Sequence, residues 1–197
     1  MRIGFIGSHS TGKTSVALRL AEEHRNVLYV PSASRKVLAD GMPLNRQADE
    51  VSQILTTLAR VVDEQAAYEE NSDKIILSDR TPLDSLAYTK YQIDAVWGGE
   101  HKFYWDYSEK FVKSAMLNYD LVFYFPVGQF ALTPDGVRDT DEHYRERIDE
   151  IIEDLLGETE LLNPYVTMID GSVAERTEFV KQQVRLYTEE RPWSLVL

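Results

Sequence analysis

Five short apolar runs punctuate the chain, at residues 3–6, 26–30, 74–78, 121–125 and 165–169. Each is largely continuous rather than alternating. Strands buried on both faces look like this, as in a parallel sheet covered by helices. Between them lie longer stretches of helical pattern, at residues 14–23, 46–68, 82–91, 101–117, 141–156 and 173–187. In the second, Val51, Ile54, Leu55, Leu58 and Val62 recur at helical spacing; in the fifth, Ile148, Ile151, Ile152, Leu155 and Leu156 do. Such stripes belong to amphipathic helices and ordinarily face a core. Alternation of strand and helix predicts an α/β fold of three layers. Its five-stranded, mostly parallel sheet is flanked by helices through right-handed crossovers. No repeat or linker interrupts the pattern, so residues 1–197 read as a single domain. The loop at 126–140 carries Gly128, Pro134 and Gly136 and reads as the most mobile part.

Composition narrows the classes. Of 197 residues, 21 are Lys or Arg and 33 are Asp or Glu, a net charge of −12. That balance disfavours gripping nucleic acid or an anionic membrane by bulk positive charge. There is no cysteine, which excludes disulfides, thiolate metal sites and cysteine nucleophiles. The first apolar run is too short for a signal peptide, and no run approaches the roughly 18 apolar residues of a spanning helix. These features predict a soluble, cytoplasmic protein with no membrane partner. The charge is also uneven. Residues 63–73 hold five acids and no base, and residues 141–160 hold nine acids and two arginines, so these two stretches account for the whole net −12. Both lie on or beside predicted helices and read as solvated faces.

The strongest chemical signal is Gly7-Ser8-His9-Ser10-Thr11-Gly12-Lys13-Thr14, which matches G-x-x-x-x-G-K-[ST]. The glycines let the backbone turn tightly and approach phosphate oxygens. Successive N–H groups then face the anion, and the following helix adds the positive end of its dipole. Lys13 is placed to bridge the β- and γ-phosphates, and the Thr14 hydroxyl to bind Mg²⁺. An apolar strand before the loop and an amphipathic helix after it supply the required context. The loop implies a nucleoside triphosphate with Mg²⁺ on a P-loop NTPase fold, and does not choose between kinase, switch GTPase and motor ATPase. His9, inside the loop, is expected to point outward rather than act. His24, His101 and His143 have no partners at metal-ligand spacing.

The third apolar run leads into Ser78-Asp79-Arg80-Thr81-Pro82-Leu83-Asp84-Ser85-Leu86-Ala87-Tyr88. Ligands of open α/β sheets sit beyond the carboxyl ends of the strands, so Asp79 and Arg80 are aimed at the crevice of the phosphate loop. Asp79 suits the Mg²⁺ shell or a general base, and Arg80 suits an acceptor anion. The alternative is a surface pair with Asp79 capping the next helix. In the loop after the fourth run, Arg138 is the leading candidate for an arginine over the transferring phosphate, with Arg145 and Arg147 behind it. Alternatively these three only neutralise nearby acids. Gly171 and Ser172, after the fifth run, could contact a nucleotide base or form a plain turn capped by Ser172. Of the aromatics Tyr88, Tyr91, Trp97, Phe103, Tyr104, Trp105 and Tyr107, one or two could stack on an acceptor base while the rest pack.

ILSDRTPLDSLAY resembles the DR(Y/H)-x-x-S-x-x-A-Y region of thymidylate kinases. The first half of the chain is similar in arrangement to ribosylnicotinamide-kinase-like P-loop proteins, many of them from phages. Those carry a phosphate loop, an arginine after the second strand and then a DR motif; YVPSASRKVLADG puts Arg35 at the matching position. The resemblance implies that Asp79 supports Mg²⁺ or the acceptor, that Arg35 and Arg80 face the acceptor, and that a lid spans about 127–147. Thr81 stands where thymidylate kinases carry an aromatic residue or His, which leaves the acceptor open.

The leading expectation is an ATP-dependent kinase acting on a nucleoside or nucleotide, with Lys13, Asp79, Arg80 and Arg138 as the catalytic set. Arg35, Arg80 and Tyr88 would line the acceptor site; a homodimer is compatible with it. A second reading is a phage-type kinase of a hydroxymethylated base in DNA. A third is a P-loop ATPase or switch acting on a protein partner. Against the third, no N-K-x-D motif is present, and Ile75-Ile76-Leu77-Ser78-Asp79-Arg80 lacks the paired acids usual in motor ATPases.

Overall fold

β1 (Arg2–Ile6) is buried at every position and lies in the middle of the sheet. The computed structural model describes residues 1–128, 130–131, 141–158 and 165–190. After β1 come α1 (Lys13–Glu23), β2 (Val27–Val30), α2 (Ser34–Ala39), α3 (Glu50–Glu70), β3 (Ile75–Asp79) and α4 (Pro82–Gln92). They are followed by α5 (Lys102–Met116), β4 (Leu121–Tyr124), α6 (Glu142–Gly157), β5 (Tyr165–Met168) and α7 (Val173–Glu190). A 3-10 turn at Asn45–Gln47 leads towards α3, and a π-helical turn at Ile93–Trp97 extends α4. Every apolar run is a strand. The additional helix α2 has only six residues, too few to leave a periodic pattern.

All strand pairs are parallel, in the order β2-β3-β1-β4-β5. The chain moves from β1 to one side of the sheet and then to the other, so the crevice beyond β1 is the topological switch point where α/β sheets bind ligands. Side chains alternate along β1. Ile3 and Phe5 join the core under α1 and α7, with Leu20, Leu77, Phe123 and Val180. Ile6 joins the core under α4, α5 and α6, with Leu86, Met116, Val122 and Ile148. The stripe on α6 packs as its spacing predicts: Ile148, Ile151, Ile152 and Leu155 are all buried.

The stripe on α3 does the opposite. Val51, Ile54, Leu55, Leu58 and Val62 are 41–61% exposed, whereas Ser52, Gln53, Thr56, Arg60 and Glu64 are buried. The inner face of α3 meets polar groups, among them the Thr81 carbonyl, the Ser85 hydroxyl and the Tyr119 hydroxyl. Apolar side chains there would strand those groups in a dry interior. The acidic stretches are therefore not wholly solvated either. Glu64 is buried and accepts a hydrogen bond from Tyr119, and Asp149 is buried and accepts from the Val127 amide at 2.8 Å.

One buried carboxylate ties together the exits of β1 and β3. Asp84 is fully buried. It accepts from the Gly7 amide at 3.1 Å, the Thr81 amide at 2.7 Å, the Thr81 hydroxyl at 3.2 Å and Arg80 at 3.2 Å. With Thr81 it forms the capping box of α4, and Pro82 opens that helix.

Two outcomes follow for stability. Burial pushes the Glu64 carboxyl up to about 7 from 4.5, against the hydrogen bond from Tyr119 and the charge of Arg60. The folded chain then holds this proton more firmly than the unfolded chain. Its stabilising contribution is complete below pH 4.5 and is lost as pH rises to about 7. Urea titrations across that window will show wild type losing stability relative to Glu64→Gln; parallel pH profiles would refute the assignment. Asp84→Ala leaves two amides and Arg80 without their acceptor, and will cost about 3–5 kcal/mol in the same measurement. A small cost would mean that the tie is not structural.

Candidate functional site

The loop from Gly7 to Thr14 turns between the end of β1 and the start of α1. Gly7 adopts φ 145°, and a Cβ there would run into the Phe125 carbonyl oxygen. Gly12 adopts φ 87° at the N-cap of α1, where no side chain caps the helix, so the first amides of α1 are left for a ligand. Lys13 is 4% exposed and curls back over the loop. Its ammonium donates to the Gly7 carbonyl at 2.9 Å, to the Thr11 hydroxyl at 2.9 Å and to the Ser8 carbonyl. The Ser8 hydroxyl donates to the Arg145 carbonyl at 2.9 Å, which pins the loop to α6. His9 does not point outward: it is 3% exposed and lies 5.9 Å from the Tyr144 ring, with the Tyr88 hydroxyl 3.4 Å from its Nδ1. Aromatic packing beneath the loop is what draws it in.

The exit of β3 forms the facing wall. Register pairs Phe5 with Asp79, so Asp79 stands level with the end of β1. The Thr14 hydroxyl donates to Asp79 Oδ2 at 2.6 Å, and the Tyr29 hydroxyl donates to the same oxygen at 3.1 Å. Asp79 is 6% exposed, and the cap of α4 is Thr81, so neither a surface pair nor an Asp79 cap describes the arrangement. Arg80 carries φ 115°, a conformation that costs energy in any residue with a side chain. Asp84 holds it there, and its guanidinium also donates to the Gly7 carbonyl at 3.3 Å and lies 5.4 Å from the Tyr88 ring.

These groups border one cavity of about 290 Å³, lined by the loop residues from His9 to Thr14 and by Asp79, Arg80, Arg35 and Tyr88. Asn45, Gln53, Thr56, Arg60 and Ser85 also line it. Arg60 donates to the Ser85 hydroxyl at 2.8 Å and to the Thr81 carbonyl. Burial pulls its guanidinium below the ordinary value, against the charge of Asp84, yet arginine stays protonated. Sequence reasoning misses Gln53, Thr56 and Arg60 because they share a helix with a strong apolar stripe. Asp84 did carry a signal, the T-x-x-D spacing of a capping box after a strand.

The remaining candidates divide. Arg138 lies outside the described residues. Arg145 is buried beside the phosphate loop; it donates to the Phe130 carbonyl at 2.8 Å and pairs with Glu142. Arg147 faces away and pairs with Glu150 at 2.8 Å. Gly171 and Ser172 do not line the cavity; the Ser172 hydroxyl and amide both donate to Glu175 at the start of α7. Of the aromatic cluster, only Tyr88 reaches the cavity, whereas Phe103 and Tyr107 are 85% and 66% exposed. Thr14 and Asp79 offer two hard oxygen donors side by side. Among the described residues no group of three or more His, Cys, Asp or Glu gathers elsewhere as a metal site. That donor set fits Mg²⁺, which keeps most of its waters and takes one or two protein ligands plus phosphate oxygens.

Comparison with solved structures places the fold. The deoxyadenosine kinase of M. mycoides, solved with dCMP and a flexible dCDP, superposes with TM-score 0.65 at 16% identity, over 94% of this chain and 100% of that one. The thymidylate kinase of Candida albicans gives TM-score 0.65 at 12% identity, over 94% of this chain and 91% of that one. The NadR protein in complex with NAD and AMP-PNP gives 0.69 at 19% identity, over 95% of this chain but 49% of that one. At such identities the likeness concerns the fold. No curated protein sequence matches the chain significantly. A family model described as "AAA domain" does match, across residues 2–176. With its phosphate loop at the switch point of a parallel sheet, the chain belongs to this AAA-domain family of P-loop proteins.

Proposed function

We propose that the chain is an ATP-dependent kinase that moves the γ-phosphate to a nucleoside or nucleoside monophosphate. The observation that carries this reading is the shared cavity. The phosphate loop lines it together with Arg35, Arg60 and Arg80. A switch or motor needs no acceptor site beside the phosphate loop. Three arginines lining the same cavity suit an anionic small molecule held in line with the donor. The solved neighbours that are deoxyadenosine and thymidylate kinases support the same class.

In this reading the backbone amides of the loop and Lys13 hold the donor phosphates. Lys13 must leave the Gly7 and Ser8 carbonyls to do so, an exchange of one set of acceptors for a more negative one. Thr14 and Asp79 would hold Mg²⁺, which supplies charge neutralisation on the phosphates when bound. Oδ2 of Asp79 already meets the phosphate loop through Thr14, which favours the metal-shell role over that of a general base. Arg80 and Arg60 neutralise the acceptor, which favours one that already carries phosphate. Arg138 remains the lid arginine of the proposal. Such an enzyme works in the cytoplasm, where ATP and Mg²⁺ are plentiful.

The outward stripe of α3 provides the surface for a homodimer in this reading. Its exposed positions from Val51 to Val62 carry no charge, so two copies of a protein of net charge −12 can meet there without like-charge contact.

The transfer is tested with labelled ATP and a panel of nucleosides, nucleoside monophosphates and hydroxymethylated DNA. Label is expected in a monophosphate or nucleoside; label in DNA alone selects the polymer substrate, and label only in free phosphate sinks the kinase reading. Lys13→Ala will lower kcat/KM by about a thousandfold or more, and Asp79→Asn will cut turnover far more than ATP affinity. For the dimer, sedimentation will show wild type as two copies and Leu58→Glu as one; a monomeric wild type contradicts it.

A further inference from the structure

α7 begins with an arginine in an unfavourable place. Arg176 follows the Ser172 cap by one turn, so its cation lies at the positive end of the helix dipole. It is also fully buried. Two carbonyls and two rings are among the contacts that offset these costs, and the charge of Asp170 acts in the same direction. Its Nη1 donates to the Thr11 carbonyl at 2.7 Å, and its Nε donates to the Gly171 carbonyl at 2.8 Å. The guanidinium carbon lies 5.3 Å from the Phe125 ring centroid and 5.0 Å from that of Phe130, both within cation–π range.

The Thr11 contact bears on the phosphate loop through peptide geometry. A trans peptide points its C=O and the N–H of the next residue in opposite directions, and the described backbone contains no cis bond. With the Thr11 oxygen held toward α7, the Gly12 N–H must face away from α7. Gly12 lines the cavity, and its N–H donates to no group among the described residues. Gly12 at φ 87° gives this peptide the freedom to flip, because no Cβ blocks the alternative. Something outside the loop therefore has to choose its orientation.

We propose that Arg176 is a positioning residue for the donor phosphate: it clamps the Thr11–Gly12 peptide so that the Gly12 N–H faces the anion. The fork of the guanidinium suits this task, since Nε and Nη1 diverge at a fixed angle and two carbonyls define its plane. The same clamp joins three segments. Thr11 belongs to the phosphate loop, Gly171 to the turn after β5, and Phe130 to the loop after β4. The proposal rests on reading Gly7 to Thr14 as a donor-phosphate site.

The test uses the full chain, ADP and inorganic pyrophosphate. In Arg176→Lys the cation remains but a single ammonium replaces the two diverging donors. Calorimetry will show ADP and pyrophosphate binding about tenfold more weakly than to wild type. In ¹⁵N spectra the Gly12 amide will shift strongly on pyrophosphate addition in wild type and far less in the variant. A protein that is merely loosened would lose melting temperature without altering that amide selectively. Wild-type affinity and an unchanged Gly12 shift in folded Arg176→Lys overturn the clamp. If the variant does not fold, wild type decides: a slowly exchanging Arg176 Nη1–H that persists on ADP addition supports the clamp, and a rapidly averaged one refutes it. A wild type that binds neither ADP nor pyrophosphate would instead remove the donor-site reading itself.

Discussion

The geometry of the site depends on one buried carboxylate. Asp84 receives the first amide of the phosphate loop, the amide and hydroxyl that cap α4, and the guanidinium of Arg80. A fully buried charge is tolerated only when its oxygens are satisfied and a counter-charge is near. Asp84 meets both conditions by drawing the exits of β1 and β3 together. The strained backbone of Arg80 is the clearest consequence. Its positive φ persists because the side chain is held at both Asp84 and the Gly7 carbonyl.

A second constraint operates through α3. Its inner face is polar and forms a wall of the cavity, while its outer face is apolar. Helices of globular proteins usually show the reverse, and the inversion means that α3 contributes less to the core than its composition suggests. Its anchors are specific contacts: Arg60 on the start of α4, Glu64 on Tyr119, and the Asp49–Ser52 capping box at its start. The charge balance takes on a different meaning in this light. The net −12 belongs mostly to helix surfaces, whereas Lys13, Arg35, Arg60 and Arg80 gather around one crevice. A protein can be strongly acidic overall and still present a cationic site.

The loops around the phosphate cradle are tied to it from several sides. Arg145 reaches the Phe130 carbonyl, Ser8 reaches the backbone of Arg145, and Arg176 reaches both Thr11 and Gly171. The Phe130 ring lies over Gly12, 3.0 Å from where a Cβ would stand. These ties fasten Phe130 and Gly171, from the loops after β4 and β5, to the phosphate loop, although neither loop contributes a recognisable motif.

Local pattern by itself determined the alternation of strands and helices, the parallel sheet and the phosphate loop. Each depends on residues near one another in sequence: buried runs of four or five apolar side chains, helical spacing, and two glycines five apart. It also placed Asp79 and Arg80, because the end of an apolar run in an α/β sheet is the edge of the crevice. Tertiary structure alone decided which way α3 faces. Periodicity reports that Val51, Ile54 and Leu58 share a side, but not which side the neighbouring elements will cover. Arg60 and Gln53 came to line the cavity only through that packing, and His9 turned inward through its own neighbours, Tyr88 and Tyr144. A buried polar side chain is identified by the groups that satisfy it, and here some of those groups lie as far as 165 residues away along the chain.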